Sequence, residues 1–120
     1  MQVSGRLVGP SAEERARKVV GVIYRMRVYQ AVAENLPIFH EFFRTSLLPV
    51  QIRHGARLIG RWETQDGRVV AVWEYDDRAA FERIEAAVRL DPESTKAQQL
   101  RAELPQLVES QEEIFMTKAV

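Results

Sequence analysis

GARLIGRWETQDGRVVAVWEYDD, residues 55–77, decides how this chain folds. Two apolar-rich runs flank Asp66-Gly67, the dipeptide that best tolerates the positive φ angles of a tight type I′ hairpin turn. A helix-like segment precedes the hairpin and another follows it, which predicts one compact α+β domain.

Upstream, Val22 to Ala31 alternates with period two. Val22, Tyr24, Met26 and Val28 share one face, and Ile23, Arg25, Arg27 and Tyr29 the other. Asn35 is placed to cap a helix that carries Pro37 in its first turn and Phe39, Phe42, Phe43, Leu47 and Val50 along one stripe. Pro49 is expected to kink this helix, and Gly55, after Arg53-His54, to stop it. Downstream, Asp77 opens a helix with Phe81, Ile84 and Val88 inward. Asp91-Pro92 interrupts it, and a further helical piece runs from Glu93 to Leu104, ahead of Pro105. Glu109 to Lys118 reads as the last strand. The order βαββαβ is that of a ferredoxin-like fold with a four-stranded antiparallel sheet. Residues 1–20 read as an N-terminal extension, either a mobile tail or a short helix from Ala12 to Val19 opened by Ser11 and Glu14. Residues 21–120 form the domain.

At 120 residues the chain is one domain by size, and its 46% hydrophobic and 28% charged content is ordinary for a soluble globular protein. Seventeen basic residues balance seventeen acidic ones, so nothing in the overall charge points to nucleic acid or a membrane surface. Cysteine is absent, which removes disulfides, zinc-thiolate sites and thiol nucleophiles together. No apolar run approaches the roughly 20 residues that span a bilayer, and a cytoplasmic location is the expectation. Arginine dominates over lysine (Lys18, Lys96 and Lys118), as in the proteins of GC-rich bacteria.

Counting outward from a two-residue loop pairs Trp62 with Ala71, Gly60 with Trp73 and Leu58 with Tyr75. One face then carries Leu58, Gly60, Trp62, Val69, Ala71, Trp73 and Tyr75, and should take the helices. The other carries Ile59, Arg61, Glu63, Val70, Val72 and Glu74, joined by Arg25, Arg27 and Tyr29. Such a mixed face is too apolar for water and too charged for a core, and we read it as enclosed by a second copy of the chain. A one-residue slip would exchange the faces.

The Arg27-x-Tyr29 strand, the string LLPVQIRHGARLIGRWETQDG (47–67), VVAVWEYDDRAAFERIEAAVRLDPE (69–93) and Ser110-Gln111-Glu112 resemble the NIPSNAP family of the dimeric α/β-barrel superfamily. Ser94 departs from the aromatic residue the family often carries after Asp-Pro-Glu. The resemblance implies a homodimer whose two sheets close a barrel around a cavity. It implies no particular reaction. Superfamily relatives include cofactor-free quinone-forming monooxygenases, cyclases, isomerases and haem-binding proteins.

Arg25, Arg27, Arg61 and Glu74 are the constellation with the most chemistry. Enclosed guanidinium groups can hold a carboxylate, enolate or phenolate, and a buried Glu74 can act as a general base; an interface ion-pair network is the plainer alternative. Tyr29 and Tyr75 can donate to a ligand. Trp73 can line its site or belong to the core. His40 is either an acid/base group or a boundary histidine. His54 sits where a helix C-terminus favours a cation. The histidines are fourteen positions apart, about 21 Å along a helix, so they cannot share a metal within one subunit. There is no G-x-S-x-G, P-loop or dinucleotide fingerprint, and no metal or cofactor is expected. The charges from Arg83 to Arg89 look like a solvated helix face. The expectation is a homodimeric barrel protein binding a small apolar or anionic organic molecule, with cofactor-independent oxidation, isomerisation or cyclisation as candidate activities. Glu74 or His40 would move the proton, while Arg25, Arg27, Arg61, Tyr29, Trp73 and Tyr75 hold the ligand. A non-catalytic dimerisation module is the alternative, and haem binding through His40 or His54 a third reading.

Overall fold

A computed structural model describes residues 21–120; the helix expected from Ala12 to Val19 lies outside them. Strand β1 is Ile23–Ala31. A 3-10 turn, Ala33–Asn35, leads into helix α1, Leu36–Phe42, which continues through a π-helical turn, Phe43–Leu47, into α2, Leu48–Arg53. Strands β2, Arg57–Glu63, and β3, Arg68–Tyr75, form the hairpin. Helices α3, Arg78–Leu90, and α4, Pro92–Glu103, follow, and β4, Val108–Met116, ends the fold. The sheet order is β2-β3-β1-β4 with all neighbours antiparallel, the α+β ferredoxin-like arrangement. Among the described residues no helix is long and apolar enough to cross a membrane.

The hairpin turn differs from expectation. Thr64 pairs with Arg68 (Thr64 N–H to Arg68 O, 2.8 Å), which leaves the three residues Gln65-Asp66-Gly67 in the loop, and only Gly67 takes positive φ, at 85°. This is the three-residue hairpin with a left-handed glycine. The Thr64 hydroxyl donates to the Asp66 carboxylate and accepts the Arg68 amide at 2.9 Å, which holds it shut. The extra residue shifts the register by one. Trp62 now faces Val70, Arg61 faces Ala71 and Gly60 faces Val72. An irregularity at Ile59 then returns Leu58 to the side of Trp73.

The shift exchanges the faces of Gly60, Arg61 and Trp62, while Leu58, Val69, Ala71, Trp73 and Tyr75 take the helices as expected. Ile23 pairs with Tyr75, Arg25 with Trp73, Arg27 with Ala71 and Tyr29 with Val69, all on the side the helices cover. Arg25, Arg27, Tyr29 and Arg61 therefore lie under the helices, not against the open face as expected. The open face instead carries Tyr24, Met26, Val28, Val70, Val72, Trp62, Ile114 and Met116, together with Glu74. The ring that fills the space over Gly60 is that of Trp62, not Trp73; a Cβ at Gly60 would collide with it.

Pro49 acts on the helix as anticipated in place but not in kind. Its missing N–H and its ring would disturb the carbonyl one turn back, and the turn before it widens to π geometry, Leu48 N–H reaching Phe43 O. The Thr45 hydroxyl donates to Glu41 O (2.8 Å) beside this wide turn. Gly55 (φ 103°) closes the helix in a Schellman motif, with Gly55 N–H to Ile52 O and Ala56 N–H to Gln51 O, both at 3.0 Å. Asn35 does not cap: its amide donates to Gln106 O at 2.7 Å and ties α1 to the entry of β4.

Asp77 caps α3 through Ala80 N–H (2.7 Å), and Asp91 caps α4 through Glu93 N–H (2.8 Å). Asp91 also accepts from Arg53 (2.5 Å) and His54 (2.7 Å), which pins the end of α2 to the α3–α4 junction. The Arg53 guanidinium, the Glu93 amide and His54 hold the Asp91 carboxyl well below the usual carboxylate range. A carboxyl depressed in the folded state stabilises the fold above its unfolded pKa of about 4, and that stability is lost as pH falls below it. Wild-type protein should therefore lose stability more steeply than Asp91→Asn between about pH 5 and pH 2. Urea midpoints across that range, with parallel slopes for the two proteins as the contrary result, check this.

Candidate functional site

A cavity of about 430 Å³ lies between the helix-covered face of the sheet and the helices, inside the usual range for small-molecule sites. Arg25, Arg27 and Tyr29 of β1 and Trp73 of β3 form its floor. Phe39 of α1, Phe43 and Leu47 of the π turn, and Val50 of α2 form an apolar wall interrupted by Ser46, so the wide turn that Pro49 induces is part of the site. Glu85 and Arg89 of α3, Gln98 and Arg101 of α4, and Gln111 of β4 close the polar side. Four arginines face one glutamate, and the lining is net positive.

The two floor arginines differ. Arg25 is buried, at 8% exposure, and saturated. It binds Glu113 through Nε and Nη2, both at 2.5 Å, meets Glu85 at 3.4 Å, and lies 5.2 Å from the centre of the Phe81 ring. Desolvation pulls its pKa down, but hydrogen bonding to Glu113 and Tyr75 and the charges of Glu85 and Glu113 outweigh that and hold it above its ordinary value. Arg27 has only a neutral hydrogen-bond partner, the Gln111 side-chain oxygen, with Glu113 at 3.9 Å. Its Nε is buried without a partner, and its guanidinium lies 5.2 Å from the Tyr29 ring centre. Tyr75 is 1% exposed, packed edge-on to Phe81, and burial pushes its hydroxyl up against the opposing pull of Arg25. It packs beside Arg25 on the helix-covered face and does not line the cavity, so it is not placed to hold a ligand as expected.

Arg61 and His40 meet outside the cavity. The Arg61 guanidinium rests 4.2 Å from the Phe43 ring centre and 4.9 Å from that of Phe39, both of which line the cavity. Burial lowers the Arg61 pKa, opposed by the charges of Tyr29 and Glu63. Arg61 Nη1 donates to His40 Nδ1 at 2.6 Å. A guanidinium can only donate, so the His40 ring proton sits on Nε2 and goes to Glu63 (2.6 Å). This chain of contacts braces the aromatic wall. Neither His40 nor His54 lines the cavity, and a carboxylate holds the Nε2 of each. The residues present do not fit haem ligation there.

Glu74 is separated from the arginines it was grouped with. It lies on the opposite face, where Arg57 (2.9 Å) and the Tyr24 hydroxyl (2.9 Å) hold its carboxyl low, the reverse of a general base raised by burial. The α3 charges read as a solvated face include two that border the cavity, the half-buried Glu85 and the exposed Arg89. Glu113 and Gln111 were also missed, because a fourth strand of sequence ESQEE shows no apolar alternation. Among the described residues no group of three or more metal-ligating side chains gathers.

The contrast between the floor arginines has a measurable consequence. Arg25→Met strands two carboxylates that still reach water and should cost about 2–3 kcal/mol. Arg27→Met removes one hydrogen bond to a neutral group and should cost about 1 kcal/mol or less. Equal losses in urea denaturation would contradict this division.

The NIPSNAP family profile matches residues 24–120. An uncharacterized NIPSNAP domain protein from Burkholderia xenovorans superposes with a TM-score of 0.71 at 26% identity, over 81% of this chain and 94% of that one. A NIPSNAP family protein from Agrobacterium tumefaciens gives 0.70 at 18% identity, over 80% and 91%. A candidate antibiotic biosynthesis monooxygenase from Bacteroides thetaiotaomicron gives 0.60 at 13%, over 83% and 91%, and shares the fold. Comparison with curated proteins returns no match. With its family profile spanning every element of the described fold, the chain belongs to the NIPSNAP family.

Proposed function

We propose that this protein is a homodimer in which each subunit binds a small anionic organic molecule in the cavity between sheet and helices. The observation that carries the binding reading is Arg27, a cation in a half-open, arginine-rich cavity with one nitrogen unpartnered and its nearest carboxylate, Glu113, 3.9 Å away. A partly buried guanidinium whose one anionic neighbour stands 3.9 Å away is incompletely compensated, and a ligand anion would complete its pairing. Arg27 and Tyr29 can stabilise a developing enolate or phenolate, which is the contribution the protein offers to oxidation, isomerisation or cyclisation of such a ligand. The candidate proton carriers Glu74 and His40 stand outside the cavity, so binding is the stronger part of the reading.

The dimer rests on the open face of the sheet. Trp62 and Ile114 are 51% and 42% exposed there, beside Met26, Val28, Val70 and Val72. An apolar face of this kind is the usual mark of a protein contact, and pairing two such sheets closes the barrel that the family resemblance implies. A non-catalytic dimerisation module would share this face but would not need the cavity.

Native mass spectrometry of protein purified from its source, before and after denaturation, tests both parts. A dimer carrying organic mass that denaturation releases is the expected result, with Arg27→Ala losing the mass and Trp62→Glu losing the dimer. A dimer that carries no mass would favour the module, and a wild-type monomer would remove the barrel.

A further inference from the structure

The cavity offers two surfaces at right angles in their chemistry. One is apolar, the Phe39 and Phe43 rings of the wall with Trp73 of the floor, the Phe43 and Trp73 rings 6.1 Å apart between centres. It is rigid, because Arg61 is packed against Phe39 and Phe43 and is itself fixed by His40 and Glu63. The other, reached only once the Gln111 side chain moves aside, is the Nε–Nη2 edge of Arg27, whose Nε is buried. Nη2 donates to the amide oxygen of Gln111, and Nε donates to nothing among the described residues. Two parallel N–H groups in one plane match the two oxygens of a carboxylate. Gln111 supplies one neutral oxygen where a carboxylate would supply two charged ones. Gln111 is exposed on the edge strand β4, so its side chain is free to leave.

We infer that the ligand is an organic carboxylate with a flat apolar body, its carboxylate replacing the Gln111 side chain on the Nε–Nη2 edge of Arg27 and its body lying against Phe39, Phe43 and Trp73. The inference rests on the cavity reading above. Gln111 then serves as a stand-in that keeps Arg27 partly partnered when the site is empty and yields to a charged competitor. A phosphate would call on more donors, and the exposed arginines Arg89 and Arg101 would be the ones to supply them.

Isothermal titration of the full-length protein with 2-naphthoate, 2-naphthamide and 2-naphthyl phosphate tests this, with thermal unfolding to confirm that each variant is folded. The expected result is that naphthoate binds at least tenfold more tightly than naphthamide, and that Arg27→Gln abolishes this preference. Gln111→Ala should keep or strengthen naphthoate binding, while Gln111→Glu, which puts a tethered carboxylate on Arg27, should weaken it at least tenfold. The two Gln111 variants alter an exposed side chain and keep the test decisive if Arg27→Gln does not fold. Equal binding of acid and amide, or wild-type affinity in Gln111→Glu, would overturn the carboxylate seat while leaving the cavity as a binding site. Tighter binding of the phosphate, lost in Arg101→Gln and kept in Arg27→Gln, would also overturn it. Failure of all three probes to bind would overturn the cavity reading along with the inference.

Discussion

A guanidinium removed from water must find charge and hydrogen-bond partners, or the fold loses several kcal/mol. At Arg25 that requirement organises the helix-covered side of the sheet. The side chain stands on the central strand β1 and draws Glu113 from the neighbouring edge strand, Glu85 from α3 and the Tyr75 hydroxyl from β3 into one cluster, with the Phe81 ring across it. Four elements are thereby held in fixed relation around a charge. An all-apolar floor would have collapsed onto the helices. A floor of arginines, whose long side chains need partners at their tips, keeps them apart and leaves room for a cavity.

The same placement explains the other side of the sheet. With β1 turning its arginines toward the helices, Tyr24, Met26 and Val28 face outward, and the one-residue shift in the hairpin adds Trp62 to them. The helix-covered side still holds the hydrophobic core, with the arginines of β1 set into it, and the opposite side is apolar as well. A strand with two arginines on one face and Met, Val and Tyr on the other would ordinarily bury the second. Here both faces are apolar, one covered by the helices and the other open.

Pro49 links local chain chemistry to the shape of the site. The π turn widens the helix where Phe43, Ser46 and Leu47 meet the cavity. The aromatic rings it presents are braced from outside by Arg61, whose position follows from the three-residue turn at Gly67. Had the loop contained two residues, Arg61 would lie on the open face and Phe39 and Phe43 would lack that support. One left-handed glycine therefore reaches the cavity wall through the register it sets.

Residues acting through their immediate neighbours were legible in the chain itself. The alternation of β1, the phenylalanine stripe before Pro49, the stop at Gly55 and the cap at Asp77 each depend on a few adjacent positions, and together they determine the βαββαβ order and the ferredoxin-like fold. Arg25, Arg27, Tyr29 and Trp73 also stood out, because arginine and aromatic residues on a central strand need an explanation. What the chain left open was which way these residues face and which of them meet. Asp66-Gly67 is compatible with loops of two or three residues, and the choice turned on the Thr64 hydroxyl bonding Asp66 and Arg68. Glu74 was grouped with the arginines from that count and lies across the sheet from them. Gln111, Glu113 and Glu85 come from segments distant in sequence with no apolar pattern to mark them. Only tertiary structure could place them, because side chains alternate sides at every residue of a strand and a single-residue change in pairing exchanges the faces.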